Sequence, residues 1–399
     1  VHWGIRKDVT QGMKIGIDIR TLSFRRGGIS QYTYHLLKNL LAVDAKNTYY
    51  LFNYNRSPYD WDHFRGNARE IILRCPQRSG FKTFWENVLV PLAVRKKGIQ
   101  LWFSPDFAIP RLLRTRSVIT VHDLIFEEFH DIRKSKDPAL LSKRVEDSVR
   151  RANKIIAISD FTRKKILKRY GVPAEKVILV PQAADERFHR ITDQMAIEAV
   201  LRRYGIDSKF LLFVGEISER KNLIRLLNAY YLLHQRNKTG DRKLILVGKK
   251  TADTPKILRK VSDLGLESRV LFTGYIPDED LPFIYNGADL FVFPSLYEGF
   301  GMPPLEAMRC KVPVVASSAT SIPEVVGTGA LLFDPYNVDD IAGKIEQVLD
   351  QKIDTGALLQ AASKQANQFS WERSARKTIA LLESLHKGFQ GGICLSFDS

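Results

Sequence analysis

Short, almost unbroken apolar runs alternate with helical stretches along nearly the whole chain. This alternation restricts the possible folds more than any other feature. Runs such as Leu244-Ile-Leu-Val247 and Leu290-Phe-Val-Phe293 contain no polar position. Such strands must be covered on both faces, the condition of a parallel sheet between two helical layers. In the first half, strands are expected at 14–19, 49–54, 101–104, 117–121, 154–158 and 177–180, with helices at 29–41, 84–97, 140–152 and 160–170. In the second half, strands are expected at 210–214, 244–247, 270–273, 290–294, 312–316 and 331–333. Helices there are expected at 222–235, 255–264, 280–287, 303–310, 322–326 and 339–349. The 399 residues exceed what one hydrophobic core ordinarily serves, and residues 181–188 carry no period. The expected organisation is therefore two doubly wound α/β domains, 13–186 and 207–370, with a linker at 187–206 and a last helix at 371–387. Ligands of such sheets bind beyond the carboxyl ends of the strands, which makes the interdomain cleft the expected active site.

Composition removes other classes. Hydrophobic residues make up 44% of the chain and charged residues 26%, which excludes disordered, collagen-like and coiled-coil chains. No run approaches the ~18 apolar residues of a membrane-spanning helix. Cys75, Cys310 and Cys394 are sparse and odd in number, which speaks against a disulfide framework or a zinc cluster and suits a reducing cytosol. Residues 1–12 are polar and lack the apolar segment of a signal peptide. Met13 directly precedes the first strand and is the expected natural start; residues 388–399 are expected to be a loose tail.

The charge is uneven. The net charge of +17 lies entirely in residues 1–180, which hold 34 basic and 17 acidic residues, whereas residues 181–399 hold 27 of each. One half is thus expected to face something anionic: nucleic acid, a membrane surface or a phosphorylated acceptor. Residues 133–169 carry 13 Lys and Arg against 4 Asp and Glu. Arg163, Lys164, Lys165, Lys168 and Arg169 crowd one short helix with few acidic partners in view, and Phe84 and Trp85 precede the cluster Arg95-Lys-Lys97. Basic helices with aromatic companions can lie on anionic lipid, although solvated helix faces have the same composition.

Four segments carry chemistry. Pro294-Ser-Leu-Tyr-Glu-Gly-Phe-Gly-Met-Pro-Pro-Leu-Glu-Ala-Met308 follows an apolar strand. Gly299 and Gly301 permit close backbone approach, and Pro303 and Pro304 suit a helix's first turn. Free amides at that helix start suit a phosphate, and Glu298 or Glu306 can accept hydrogen bonds from sugar hydroxyls. Val214-Gly-Glu-Ile-Ser-Glu-Arg-Lys-Asn222 places Arg220 and Lys221 at the start of a helix, where cations oppose the helix dipole but would meet a diphosphate. Arg25-Arg-Gly-Gly-Ile-Ser30 is a glycine-rich turn entering a helix. It is not the Gly-x-Gly-x-x-Gly pattern of dinucleotide oxidoreductases. Thr120-Val-His-Asp-Leu124 ends a buried strand, and His122 there is either a cleft residue or a structural histidine.

Together these segments resemble the retaining glycosyltransferases of family 4, which share the two-domain GT-B fold. The resemblance runs from Met13 to about Lys387, and its most specific element is the pair Glu298 and Glu306 in their loop-and-helix setting. Gly27-Gly28-Ile29, Val121-His122-Asp123, Ile158-Ser159 and Phe369-Ser-Trp-Glu372 agree in order. The Arg-Lys-Asn segment and the opening Gly-Ile-Asp-Ile-Arg20 are similar to those of bacterial mannosyltransferases of lipopolysaccharide O-antigen assembly. The resemblance implies a helix from Trp371 that crosses back onto the first domain. It implies Arg220 and Lys221 on the donor diphosphate, Gly215 beside them, Glu306 and its neighbour Leu305 at the ribose, and Glu298 at the transferred sugar. The amides of Gly299, Phe300, Gly301 and Met302 would assist, His122 would contact the sugar near its reacting carbon, Gly28 would approach phosphate or acceptor, and Tyr275 would flank the base. Glu216 departs from the pattern, since many members have Arg there.

The implied activity is transfer of mannose from GDP-mannose to a lipid-linked glycan acceptor, without metal or other cofactor. The implied place is the cytoplasm, at the inner face of an anionic membrane. Other donors, a UDP-hexose or dTDP-rhamnose in capsule or exopolysaccharide assembly, fit the same residues. A non-catalytic sugar-nucleotide-binding scaffold would keep binding and lose turnover. A nucleic-acid binder has only the charge in its favour, with no recognition motif, so no nucleic-acid partner is expected.

Overall fold

Ile15 and Ile17 face one side of a sheet while Phe52, Trp102, Ile119 and Ile155 fill the other, and all are buried. The computed structural model describes residues 12–23, 27–59, 61, 66–74, 79–128 and 138–390. The sequence readings for residues 1–11, Arg25, Arg26, Cys75, residues 133–137, the tail from 391 and Cys394 lie outside the described residues.

The first domain runs β1 (Lys14–Asp18), α1 (Gly28–Val43), β2 (Thr48–Asn53), β3 (Ala68–Ile72), α2 (Ser79–Phe84), α3 (Val90–Lys97), β4 (Leu101–Ser104), β5 (Arg116–Val121), α4 (Pro138–Arg151), β6 (Lys154–Ala157), α5 (Asp160–Tyr170) and β7 (Val177–Leu179). The second runs α6 (Gln194–Arg203), β8 (Phe210–Val214), α7 (Leu223–Gln235), β9 (Lys243–Val247), α8 (Thr254–Asp263), β10 (Val270–Gly274), α9 (Leu281–Gly287), β11 (Leu290–Phe293), α10 (Met302–Arg309), β12 (Val314–Ser317), α11 (Ile322–Val326), β13 (Leu331–Phe333), α12 (Val338–Leu349), α13 (Thr355–Ala366) and α14 (Trp371–Gln390).

Among the described residues, the strand orders are β3-β2-β1-β4-β5-β6-β7 and β10-β9-β8-β11-β12-β13, and every pairing is parallel. Both sheets therefore reverse their order beside a central strand, between β1 and β4 and between β8 and β11. The loops leaving those strands diverge there and open a crevice. This is the GT-B arrangement of two Rossmann-like domains.

Four elements differ from the sequence reading, one of them α13, which no expected helix covers. β3 (Ala-Arg-Glu-Ile-Ile) is a half-exposed edge strand whose polar residues hid it. The expected helix 84–97 starts earlier and is interrupted by a π-helical turn, Trp85–Leu89, that joins α2 to α3. Within 187–206 lies α6, whose N-cap Asp193 accepts from the Ala196 amide at 3.0 Å.

Helix α14 packs on α1 of the other domain. Trp371 stacks on His35 with ring centroids 5.4 Å apart and meets Tyr32 edge-on at 5.8 Å, while Ser374 Oγ donates to the Pro181 carbonyl at 2.6 Å.

Candidate active site

The loops at the two switch points face one another across a cleft of about 770 Å³. From the first domain come the entrance of α1 with Gly28, and His122 just beyond β5. From the second come Gly215 after β8, Arg220 and Lys221 before α7, Tyr275 after β10, Glu298, Gly299, Phe300 and Gly301 between β11 and α10, and Met302 at the start of α10. Residues separated by most of the chain are thus brought to one place.

At its centre is a buried charge triad. Glu298 Oε1 accepts from Arg220 Nη1 at 2.8 Å and from Lys221 Nζ at 2.6 Å, and Ser295 Oγ donates to the same oxygen. Arg220 Nη1 also donates to the Tyr297 carbonyl at 2.7 Å. Burial would raise the Glu298 carboxyl, but the charges of Arg220 and Lys221 outweigh it and hold it below its ordinary range. Lys221 is only 5% exposed; burial, with Arg220 beside it, pushes its ammonium down to about 8 against the pull of Glu298. The triad carries one net positive charge, and an arriving anion would compete with Glu298 for both cations.

Asn222 explains the Arg-Lys-Asn run. It adopts a left-handed backbone (φ 58°), which Asn tolerates better than most residues, and its amide donates to the carbonyls of Pro294 at 3.1 Å and Pro335 at 2.7 Å. The two cations are thereby held on a rigid turn. The Glu298 loop is pinned as firmly: Thr320 Oγ1 accepts from the Glu298 amide at 3.1 Å, and Ser321 Oγ serves the carbonyls of Glu298 and Phe300 at 2.9 and 2.8 Å.

His122 is buried, with Nε2 2.8 Å from the Pro105 carbonyl oxygen, and Tyr32 meets its ring edge-on at 4.6 Å. A carbonyl only accepts, so Nε2 carries a proton. Gly299 lies against this segment: a Cβ at 299 would come within 2.3 Å of the His122 carbonyl oxygen. Only glycine lets the two domains meet so closely there.

Two expected site residues do not line the cleft. Leu305 is fully buried on the inner face of α10 and packs in the core. Glu306 sits one turn into α10 behind the lining residues, and its Oε2 accepts from the Tyr285 hydroxyl at 2.8 Å. Burial, with Asp278 and Asp185 adding to it, raises its carboxyl to about 7. The expectation that the five cations of α5 have few acidic partners is also corrected for four of them. Arg163 and Lys164 pair with Asp160, Lys165 with Glu128 and Arg169 with Glu127, acids that mostly come from the segment before the sequence run.

Sequence reasoning missed the contacts that join the domains. Gln31 Nε2 donates to Asp278 Oδ2 at 2.9 Å, Thr162 Oγ1 donates to the Gly299 carbonyl at 3.3 Å, and Glu324 of α11 accepts from the amides of Asp160 and Phe161 at 2.8 and 3.0 Å. Only Ser159, which caps α5 by accepting from the Thr162 amide, had a sequence signal. Among the described residues no group of three or more His, Cys, Asp or Glu side chains is placed to hold a metal ion.

Residues 26–188 match the family model described as Glycosyltransferase Family 4, and residues 198–369 match that described as Glycosyl transferases group 1. The chain is similar to O-antigen chain mannosyltransferase B of Escherichia coli, with 34% identity over 72% of this chain and 75% of that protein. It is also 34% identical to serotype-specific mannosyltransferase WbdA of Escherichia coli over 57% of this chain, a match that spans 28% of that protein's length. Among solved structures, a sucrose-phosphate synthase from Thermosynechococcus elongatus has a TM-score of 0.74 at 22% identity, covering 94% of this chain and 100% of that one. Anabaena HepE in complex with UDP and glucose has a TM-score of 0.71 at 19% identity, covering 93% and 100%.

Proposed function

The chain belongs to the family 4 glycosyltransferases, and from that premise we propose that it moves mannose from GDP-mannose onto a lipid-linked glycan, with retention of configuration, in cell-surface polysaccharide assembly of the O-antigen kind. The observation that carries the reading is the Arg220–Lys221–Glu298 triad on rigid loops at the switch point of the second sheet. The mannosyl choice is supported by two similar mannosyltransferases.

The chemistry follows from where charge develops. As the bond between the anomeric carbon and the diphosphate oxygen breaks, its electron pair goes to the leaving nucleoside diphosphate. Arg220 and Lys221 are fixed in a water-poor site to receive that charge, so little reorganisation is needed. Their two positive charges support a metal-independent reaction. Glu298, displaced from the cations, turns to the hydroxyls of the sugar. The acceptor hydroxyl attacks on the face the phosphate leaves, and its proton passes to the departing phosphate oxygen. His122 steadies the sugar near the reacting carbon, and the segment around Tyr275 flanks the base. Glu306 owes its ribose role to the resemblance alone, and filling it requires exchanging the Tyr285 hydroxyl for one of the ribose. The domains divide the work, the first for the acceptor and the second for the donor.

The acceptor's lipid implies work at the cytoplasmic face of a membrane. Among the described residues no helix is long and apolar enough to cross one. A docking face is offered instead by Phe81 and Phe84 of α2, Leu92 of α3 and Leu112, all exposed, beside Arg95, Lys96 and Lys97.

Calorimetry with GDP-mannose, UDP-glucose and dTDP-rhamnose tests the donor. GDP-mannose should bind, and Arg220→Ala with Lys221→Ala should abolish turnover. Preference for another donor would sink the mannose reading, and wild-type turnover in the double variant would sink the leaving-group role.

A further inference from the structure

A second cavity, of about 600 Å³, opens in the first domain at the carboxyl ends of β1, β2 and β4, and Thr21 lines both it and the donor cleft. Its size is that of a small-molecule site. Nothing in the proposed transfer step uses it.

The walls are stiff and chemically mixed. The π-helical turn carries Glu86 inward, and such turns recur at functional sites. Glu86 meets Arg20 at 3.2 Å and Arg144 at 3.0 Å, while Arg20 is also gripped by Asp18 and lies over the Trp85 ring at 4.7 Å. Phe107 adds a half-buried aromatic face next to Asp106. The acidic and basic side chains of the lining balance, four of each. A phosphate site would show an excess of cations. Alternating carboxylates and guanidinium forks with an aromatic face instead suit a neutral chain of hydroxyls, which both donates and accepts.

We propose that this cavity is a glycan subsite that grips the acceptor's sugars behind the one being extended, so that the enzyme reads the length of its acceptor. The inference rests on the transferase reading above. It also fits the docking face: Lys82 and Thr83 of the lining sit between Phe81 and Phe84, and Arg111 precedes Leu112. A lipid anchored at that face would lead its glycan through the cavity toward the donor.

The test is binding of neutral trisaccharides (mannotriose, maltotriose, chitotriose) and their monosaccharides, without donor, to the full chain and to Phe107→Ala and Asp106→Asn. At least one trisaccharide should bind better than its monosaccharide. Each variant should weaken it by roughly ten- to hundredfold, the equivalent of one or two lost contacts. GDP-mannose binding should be unchanged in both variants, which checks that they fold. No trisaccharide preference, or a preference unchanged in both variants, overturns the proposal. So does inorganic pyrophosphate binding that Arg144→Ala abolishes while trisaccharide binding stays. Trisaccharide binding without any GDP-mannose binding would instead sink the donor reading and leave the subsite standing.

Discussion

At the scale of single residues, the site is governed by what burial does to charge. Lys221 titrates near 8 because it is buried beside Arg220. Anion binding needs the ammonium, so nucleoside diphosphate affinity should fall as pH rises through about 8. Lys221→Arg should hold its affinity to higher pH; calorimetry between pH 6.5 and 9.5, about the range bracketing that value, reads both. Stability should move oppositely. Between about 8 and the ordinary lysine value of 10.5 the unfolded chain binds the extra proton, so Lys221 makes the fold more stable as pH rises. Glu306 gives the reverse case. Its folded value is about 7 against an ordinary 4.5, so its contribution is present at low pH and lost as pH rises through about 7. Glu306→Gln should flatten that part of the profile and stabilise the protein at pH above 7; Tm values on either side of the window decide it. The residues of the triad were legible in the sequence because cations at the start of a helix oppose its dipole and so do not serve helix stability, and because Glu298 follows a buried strand in a glycine-rich loop. Their pairing was not, because Arg220 and Glu298 lie 78 positions apart.

At the scale of elements, strands buried on both faces left the clearest trace, since every position must be apolar. β3 left little, because an edge strand keeps polar residues facing water. α13 went unread because its sequence, Thr-Gly-Ala-Leu-Leu-Gln-Ala-Ala, has a weak apolar period in spite of an N-cap at Asp354. The helix from Trp371 was expected from resemblance, and its packing gives it a measurable role. Trp371 is buried against Tyr32 and His35. Trp371→Ala should cost about 3–5 kcal/mol, the usual range for emptying a large aromatic site. Denaturant unfolding should show this, and a loss below about 1 kcal/mol would mean that α14 is held elsewhere.

At the scale of the molecule, the pairs on α5 leave the excess charge of the first half intact, and three of its basic residues, Arg95, Lys96 and Lys97, end α3, which also carries the exposed Leu92. Vesicles containing anionic lipid should therefore retain the protein at low salt and release it as screening shortens. Phe84→Ala with Lys96→Glu and Lys97→Glu should abolish retention. Equal retention on neutral vesicles would remove the electrostatic part of this reading. The sequence showed the charge but not all of its pairing, because Glu127 and Glu128, which meet Arg169 and Lys165 of α5, come from a separate segment. The chain also passes between the domains twice, once before α6 and once entering α14, and Ser374 ties the second passage to Pro181 in the first. A body held at one point can tumble; held at two, it can only turn about the line through them. Were the covers of this molecule to part, they would turn like those of a book on its spine, and closing would bring Gly299 back to His122 without a search.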